Sequence, residues 1–251
     1  MLIAAWQDSF KSVKTSNLAR QSMAEILDES TFRDRIHIFD DRFHAGELLA
    51  AKLKECTGKK DTYVLAIPAG GVQVGFIVSK KLRIPLDLVI TRKLHVPWDS
   101  EAGFGAISWN GTMFLNEPLI ASLGLIRGDI ERCILEEKEV IRRRLKKFRD
   151  DKPFPDLKDK TAIIVDDGLA SGFSMLTTLK TIEKLGAKEK IVAVPTAPIS
   201  AINRIRSYAD MVICLNIRSG PVFAVADAYK IWYDLEDEDV MDVFKQTDSK
   251  N

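Results

Sequence analysis

Cysteine is scarce and badly placed for crosslinking: Cys56, Cys133 and Cys214 are widely separated and odd in number. That argues against a disulfide framework or a cysteine-built metal knuckle and fits a reducing cytoplasm. An excess of either charge is also lacking. The 37 Lys and Arg residues nearly cancel the 36 Asp and Glu, for a formal charge of +1, so composition gives no support to nucleic-acid binding. No apolar run approaches the length of a membrane span, and the Met1 end lacks a basic stretch followed by an apolar one. A soluble, cytoplasmic protein with neither membrane nor nucleic-acid partners is therefore expected. Two catalytic signatures are missing as well. No Gly-Lys-Ser/Thr triplet marks a Walker loop, and residues 168–172 read GLASG, with the serine one place late for a hydrolase elbow.

What is present starts with enough apolar residues, 46% of 251, to build one sizeable core. The stretch around which the rest is organised is TAIIVDDGLASGFS, residues 161–174. Ala162 to Val165 form an apolar, largely β-branched run, the pattern of a strand buried on both faces. Two adjacent carboxylates, Asp166 and Asp167, follow, and then a turn of small residues. Beyond Gly172 the period changes: Leu176, Leu179, Ile182 and Leu185 share a helical face, and Gly186 is placed to end the helix. Loop N–H groups and the positive end of a helix dipole thus converge on one spot suited to a phosphate. Ala170, Ser171 and Gly172 are small enough for close approach, and Ser171 and Ser174 add hydroxyl donors. The carboxylates before them suit hydroxyl groups or a divalent cation. A phosphate beside a vicinal diol satisfies both halves. A plain helix cap is the bland alternative.

VDDGLASGFS resembles the phosphoribosyl-diphosphate (PRPP) signature of type I phosphoribosyltransferases. The resemblance implies that Asp166 and Asp167 meet the ribose hydroxyls, and that Ala170, Ser171, Gly172, Phe173 and Ser174 take the 5-phosphate. It also implies Mg²⁺ as cofactor, reached by Asp166 and Asp167 directly or through ribose or water.

A second strand–loop–helix unit occurs at residues 63–75, YVLAIPAGGVQVG. Its paired glycines, Gly70 and Gly71, permit dihedrals closed to other residues and let N–H groups face an anion. Read alone, Pro68-Ala69-Gly70-Gly71 is equally an ordinary tight turn. In the resemblance it is the pyrophosphate loop, with Ala69 where many relatives carry a basic residue. Residues 86–91 read as a third strand ending in Arg92 and Lys93; Lys93 is the candidate partner for pyrophosphate and Arg92 its support. Residues 95–103 read as a mobile loop, and the stretch after them as a hairpin turning at Asn110-Gly111. The resemblance implies that such a loop closes over the substrate. His95 is a titratable group of the loop, as is Glu101. In the resemblance Ala170 stands where 6-oxopurine transferases carry an aspartate as base; a loop carboxylate such as Glu101 is the candidate to supply that role.

Several further elements are expected. Residues 1–34 read as a helical extension, with Trp6, Phe10 and Val13 on one face and Leu18, Met23, Ile26 and Leu27 continuing it. Residues 35–39 read as an edge strand, with a helix to Lys54 after it, capped by Asp40 or Asp41. Residues 118–150 form a charged helix with an apolar stripe of Ile130, Ile134, Leu135, Ile141 and Leu145. Strands at 190–195 and 211–215 enclose a helix at 200–208, and a terminal helix starts near Glu236. Strands separated by helices imply a doubly wound, mainly parallel α/β sheet, whose ligands gather at the carboxyl ends of the strands. The domain spans 35–251, and its hood, about 216–234, offers Phe223, Tyr229, Trp232 and Tyr233 for stacking on a base. The resemblance implies transfer of ribose 5-phosphate from PRPP to a nucleobase-like nitrogen acceptor, and a dimer. A PRPP- or nucleotide-sensing module without turnover is the alternative that Ala69 and Ala170 leave open.

Overall fold

The computed structural model describes residues 23–56, 61–150 and 152–248. The expected helices carrying Trp6, Phe10, Val13 and Leu18 lie outside these residues. Six strands form a parallel sheet: β1 (Glu25–Leu27), β2 (Thr62–Ala66), β3 (Leu86–Leu88), β7 (Thr161–Val165), β8 (Glu189–Pro198) and β9 (Met211–Arg218), in the order β1-β9-β8-β7-β2-β3. Three more, β4 (Thr91–Val96), β5 (Asp99–Ser108) and β6 (Met113–Leu115), form a separate antiparallel sheet.

The uniform apolar strands are explained by burial on both faces. Alternate residues of β7 serve opposite cores: Ala162 and Ile164 join one, Ile163 and Val165 the other. The first core is closed by Leu176, Leu179 and Ile182 of α5 (Phe173–Lys184) and by Ala201, Ile202 and Ile205 of α6 (Ile199–Ile205). The second is closed by Leu49 and Leu53 of α1 (Arg42–Cys56) and by Val74, Val78 and Leu82 of α2 (Gly71–Leu82). Each such fully buried aliphatic side chain contributes about 1.5–3 kcal/mol by leaving water. From β2 the chain steps outward to β3; from β7 it steps the other way, to β8 and β9. Between β2 and β7 the winding reverses, and a crevice opens at their carboxyl ends.

The antiparallel sheet packs Leu94, Val96, Phe104 and Ile107 against Ile134 and Ile141 of α4 (Arg127–Arg149). Its link to the main domain joins apolar packing of Trp109 and Phe114 on the first core to a polar contact: the hydroxyls of Thr91 on β4 and Thr178 on α5 lie 2.9 Å apart, and both residues are buried. A C-terminal helix, α7 (Asp237–Asp248), buries Val240 and Val243 against Val72 and Phe76 of α2.

Several expectations are corrected. Ile26 and Leu27 are strand, not helix, and β1 is the sheet's edge. Residues 35–39 make no strand; only Phe39 bridges, to Tyr229. The run at 86–91 is split between the two sheets, because Val89 enters the first core and Ile90 the core of the antiparallel sheet. Residues 95–103 are not a loop but the turn half of the β4–β5 hairpin, since Leu94, Val96 and Phe104 point inward. Gly124, at φ 64°, divides the long charged helix into α3 (Glu117–Leu123) and α4, and Leu135 is 63% exposed rather than in the stripe. The turn at Asn110-Gly111 is present, with Gly111 at φ 82°.

Candidate active site at the carboxyl ends of the sheet

β7 delivers Asp166 and Asp167 to the crevice, and the two turn different ways. Asp166 lines a cavity of about 240 Å³ together with Lys93, the turn at 168–172, Ser174 and Val225. Asp167 points behind it, where its Oδ2 accepts from Arg42 Nε at 2.8 Å. Its own N–H donates to Asp166 Oδ1 at 3.0 Å, so the pair is linked. Burial pushes the Asp166 carboxyl well up from its ordinary value, and the Asp167 charge adds to the rise. Asp167 is also raised by burial, but the Arg42 guanidinium opposes the shift. The arrangement therefore favours charge on Asp167, the residue with a cation beside it.

Beyond the pair, Gly172 adopts φ 81° and opens α5, whose first turn holds no acidic side chain. Ala170, Ser171, Gly172 and Ser174 all border the cavity. Phe173 does not line the cavity: its side chain is buried and stacks on Phe114 at 5.4 Å between centroids, and its N–H donates to Ser171 Oγ at 3.5 Å.

The second loop arrives at the same rim. A Cβ at Gly70 would fall on the Asp167 carboxylate, and one at Gly71 would lie 2.7 Å from Val165 O and 2.9 Å from the Asp166 Cα. Both positions therefore require glycine for the two loops to meet. The peptide between Pro68 and Ala69 is cis. Gly71 N–H donates to Ile67 O at 3.0 Å and Val72 N–H to Ala69 O at 3.1 Å. The expectation that both glycine N–H groups face an anion is corrected for Gly71, whose donor is used within the turn.

Lys93 reaches the cavity from β4, and Gly103 on β5 makes room for it: a Cβ at Gly103 would sit 2.5 Å from Lys93 Cγ and Cδ. Arg92, one residue back, faces the other side of the strand, where its Nε donates to Glu137 Oε2 of α4 at 2.8 Å. Strand alternation thus corrects its expected place beside pyrophosphate. His95 lines a different hollow with Pro97, Cys133 and Glu136. Glu101 is carried by β5 near the hairpin turn.

The expected base-binding aromatics are not in the cavity wall. Phe223 lies by Arg218, 6.0 Å from guanidinium to ring centre. Trp232 stacks on the Arg42 guanidinium at 3.8 Å, and the Tyr233 carbonyl accepts from Arg42 Nη1 at 3.0 Å. Tyr229 donates its hydroxyl to the Asp167 carbonyl at 2.6 Å. Val225 is the part of this segment that faces the cavity.

Arg42, Gly103 and Val225 went unread in the sequence. Only Arg42 left a signal, being a cation in a helix's first turn, where the dipole disfavours it.

Comparison with known proteins agrees with this geometry. The model of the phosphoribosyl transferase domain matches residues 34–230. The chain belongs to the phosphoribosyl transferase family. Two Mycobacterium tuberculosis proteins, provisionally named phosphoribosyl transferases MT0597 and Rv0571c, are each 36% identical over 206 residues, which is 81% of this chain and 46% of theirs. The chain thus spans about half the length of these curated relatives. The crystal structure of TT1426 from Thermus thermophilus is 32% identical, with a TM-score of 0.67 over 83% of this chain and 98% of that one. The type I phosphoribosyltransferase fold thus accompanies family membership.

Proposed function

We propose that the chain transfers ribose 5-phosphate from PRPP to a nitrogen of a nucleobase-like acceptor, releasing pyrophosphate. The observation that carries this reading is the contact of Gly70 and Gly71 with Asp167 and Asp166, which brings together the two turns to which we assign the phosphates and the two carboxylates to which we assign the ribose. The 5-phosphate takes the N–H groups of residues 171–174 and the hydroxyls of Ser171 and Ser174. Asp166 accepts from the ribose hydroxyls, with Asp167 behind it. The diphosphate lies between the Ala69–Gly70 turn and the ammonium of Lys93. As the bond from C1 to the diphosphate lengthens, positive charge grows on the sugar ring beside the Asp166 carboxyl, and its ionised form stabilises that charge. Ala170 gives the loop no base, so Glu101 is the carboxylate we assign to the acceptor's proton.

The donor set fits Mg²⁺, which takes one or two carboxylates and completes its shell with water and substrate oxygens. Asp166 would hold it from the cavity side, with Asp167, whose Oδ2 already accepts from Arg42, acting through ribose or water; among the described residues no group of three or more His, Cys, Asp or Glu offers a fuller protein site. When bound it would lower the charge on the departing diphosphate. Cys133 and Cys214 are free and buried, which supports a reducing cytoplasm as the place of action. Among the described residues no helix is long and apolar enough to cross a membrane.

Pyrophosphate release from PRPP with Mg²⁺ and a panel of purines, pyrimidines and amines tests the proposal. Release with one acceptor class is expected. PRPP binding with no release for any acceptor would transfer the assignment to a sensing module.

A further inference from the structure

Arg42 is an expensive residue for its position. It opens α1, where the positive end of the helix dipole repels a cation, and its side chain is only 4% exposed. Its Nε donates to Asp167 and its Nη1 to the carbonyl of Tyr233, while its plane lies on Trp232. Tyr229 closes the circle through the Asp167 carbonyl. Asp167 is therefore gripped at both its carboxylate and its backbone by α1 and by residues 229–233. Its N–H in turn donates to Asp166 Oδ1, so the cavity-facing carboxyl follows the residue behind it.

We propose that Arg42 is a positioning residue that makes the grip of the acidic pair on a ribose diol depend on the seating of residues 229–233. The inference rests on the ribose-binding role assigned above and deepens it. The C-terminal segment then acts on the sugar site through Arg42, with no aromatic ring of its own in the cavity. The phosphate loop at 170–174 is not among the partners of Arg42 and stands outside this linkage.

The test is calorimetric titration of the full chain with ribose 5-phosphate and, separately, with inorganic phosphate. The variants are Arg42→Met, Arg42→Lys, Trp232→Leu, Asp167→Asn and the Arg42→Met/Asp167→Asn pair. Arg42→Met should weaken ribose 5-phosphate roughly tenfold while inorganic phosphate stays within about twofold, because only the diol end loses its support. Arg42→Lys should recover part of the loss, since one ammonium can meet Asp167 but cannot also reach Tyr233 O and lie flat on Trp232. Trp232→Leu should reproduce part of it. In the Asp167→Asn background Arg42→Met should add less than about twofold, as expected of two residues acting through one contact. In PRPP turnover the loss should fall on KM more than on kcat.

Unchanged ribose 5-phosphate affinity in Arg42→Met and Trp232→Leu would overturn the proposal, and so would parallel loss of both ligands. If Arg42→Met does not fold, Arg42→Lys and Trp232→Leu carry the same comparison: selective loss of ribose 5-phosphate supports the linkage and no loss overturns it. Wild-type protein that binds neither ligand would overturn the ribose-binding role itself, a failure distinct from the loss of Arg42's part in it.

Discussion

Asp166 and Asp167 are chain neighbours in opposite surroundings, one open to the cavity and the other held by a buried guanidinium. The difference has a thermodynamic sign. Folding raises the pKa of Asp166 well above the ordinary carboxylate value, so the folded chain keeps a proton the unfolded chain releases. That contribution to stability is complete below the unfolded value and is lost as pH rises toward the folded one. Asp166→Asn removes the penalty. It should melt roughly 2–4 °C above wild type at pH 7.5 and no higher than wild type near pH 3.5, while kcat/KM with PRPP falls by at least about a hundredfold. Paired melting curves at the two pH values decide this; a variant less stable at both would contradict the assigned environment. At Gly70 the constraint is steric. Gly70→Ala sets a methyl group against the Asp167 carboxylate, so denaturant titration should show a loss of about 1–3 kcal/mol, and an unchanged midpoint would show that the two loops are not in contact.

The elements that present these residues differ in how plainly the sequence announces them. β7 and α5 were legible because a strand buried on both faces is uniformly apolar and a helix buried on one face repeats every three to four residues. β1 was not, since three residues are too few to show a period, and the partner that makes it a strand, β9, lies far along the chain. The β4–β5 hairpin was misread for another reason. Its glycines and charges look like loop, yet Gly103 is there to admit the stem of Lys93. Gly103→Ala should therefore leave the far-ultraviolet circular dichroism unchanged and raise KM for PRPP several-fold, as Lys93 is pushed from the cavity; an unchanged KM would remove Lys93 from the site. The joint between the two sheets is equally specific. Thr178→Val deletes one hydroxyl of this buried pair, leaving that of Thr91 with Ser108, and should cost about 1 kcal/mol in urea titration.

Across the whole molecule, site and fold share one cause, the reversal of winding between β2 and β7. Two strand-to-helix turns must meet there, and each carries the small residues that let them come into contact. The rim at which they meet was readable from motif order alone. Its support was not, because Arg42 and Asp167 are 125 residues apart and no local pattern joins them. The most direct measurement of the central claim is a crystal structure of the chain with ribose 5-phosphate, diphosphate and Mg²⁺. The account predicts the monophosphate on the N–H groups of residues 171–174, the ring hydroxyls on Asp166, and the diphosphate between Gly70 and Lys93. A monophosphate bound away from residues 170–174, or a diphosphate on the far side of the sheet from Gly70, would contradict it.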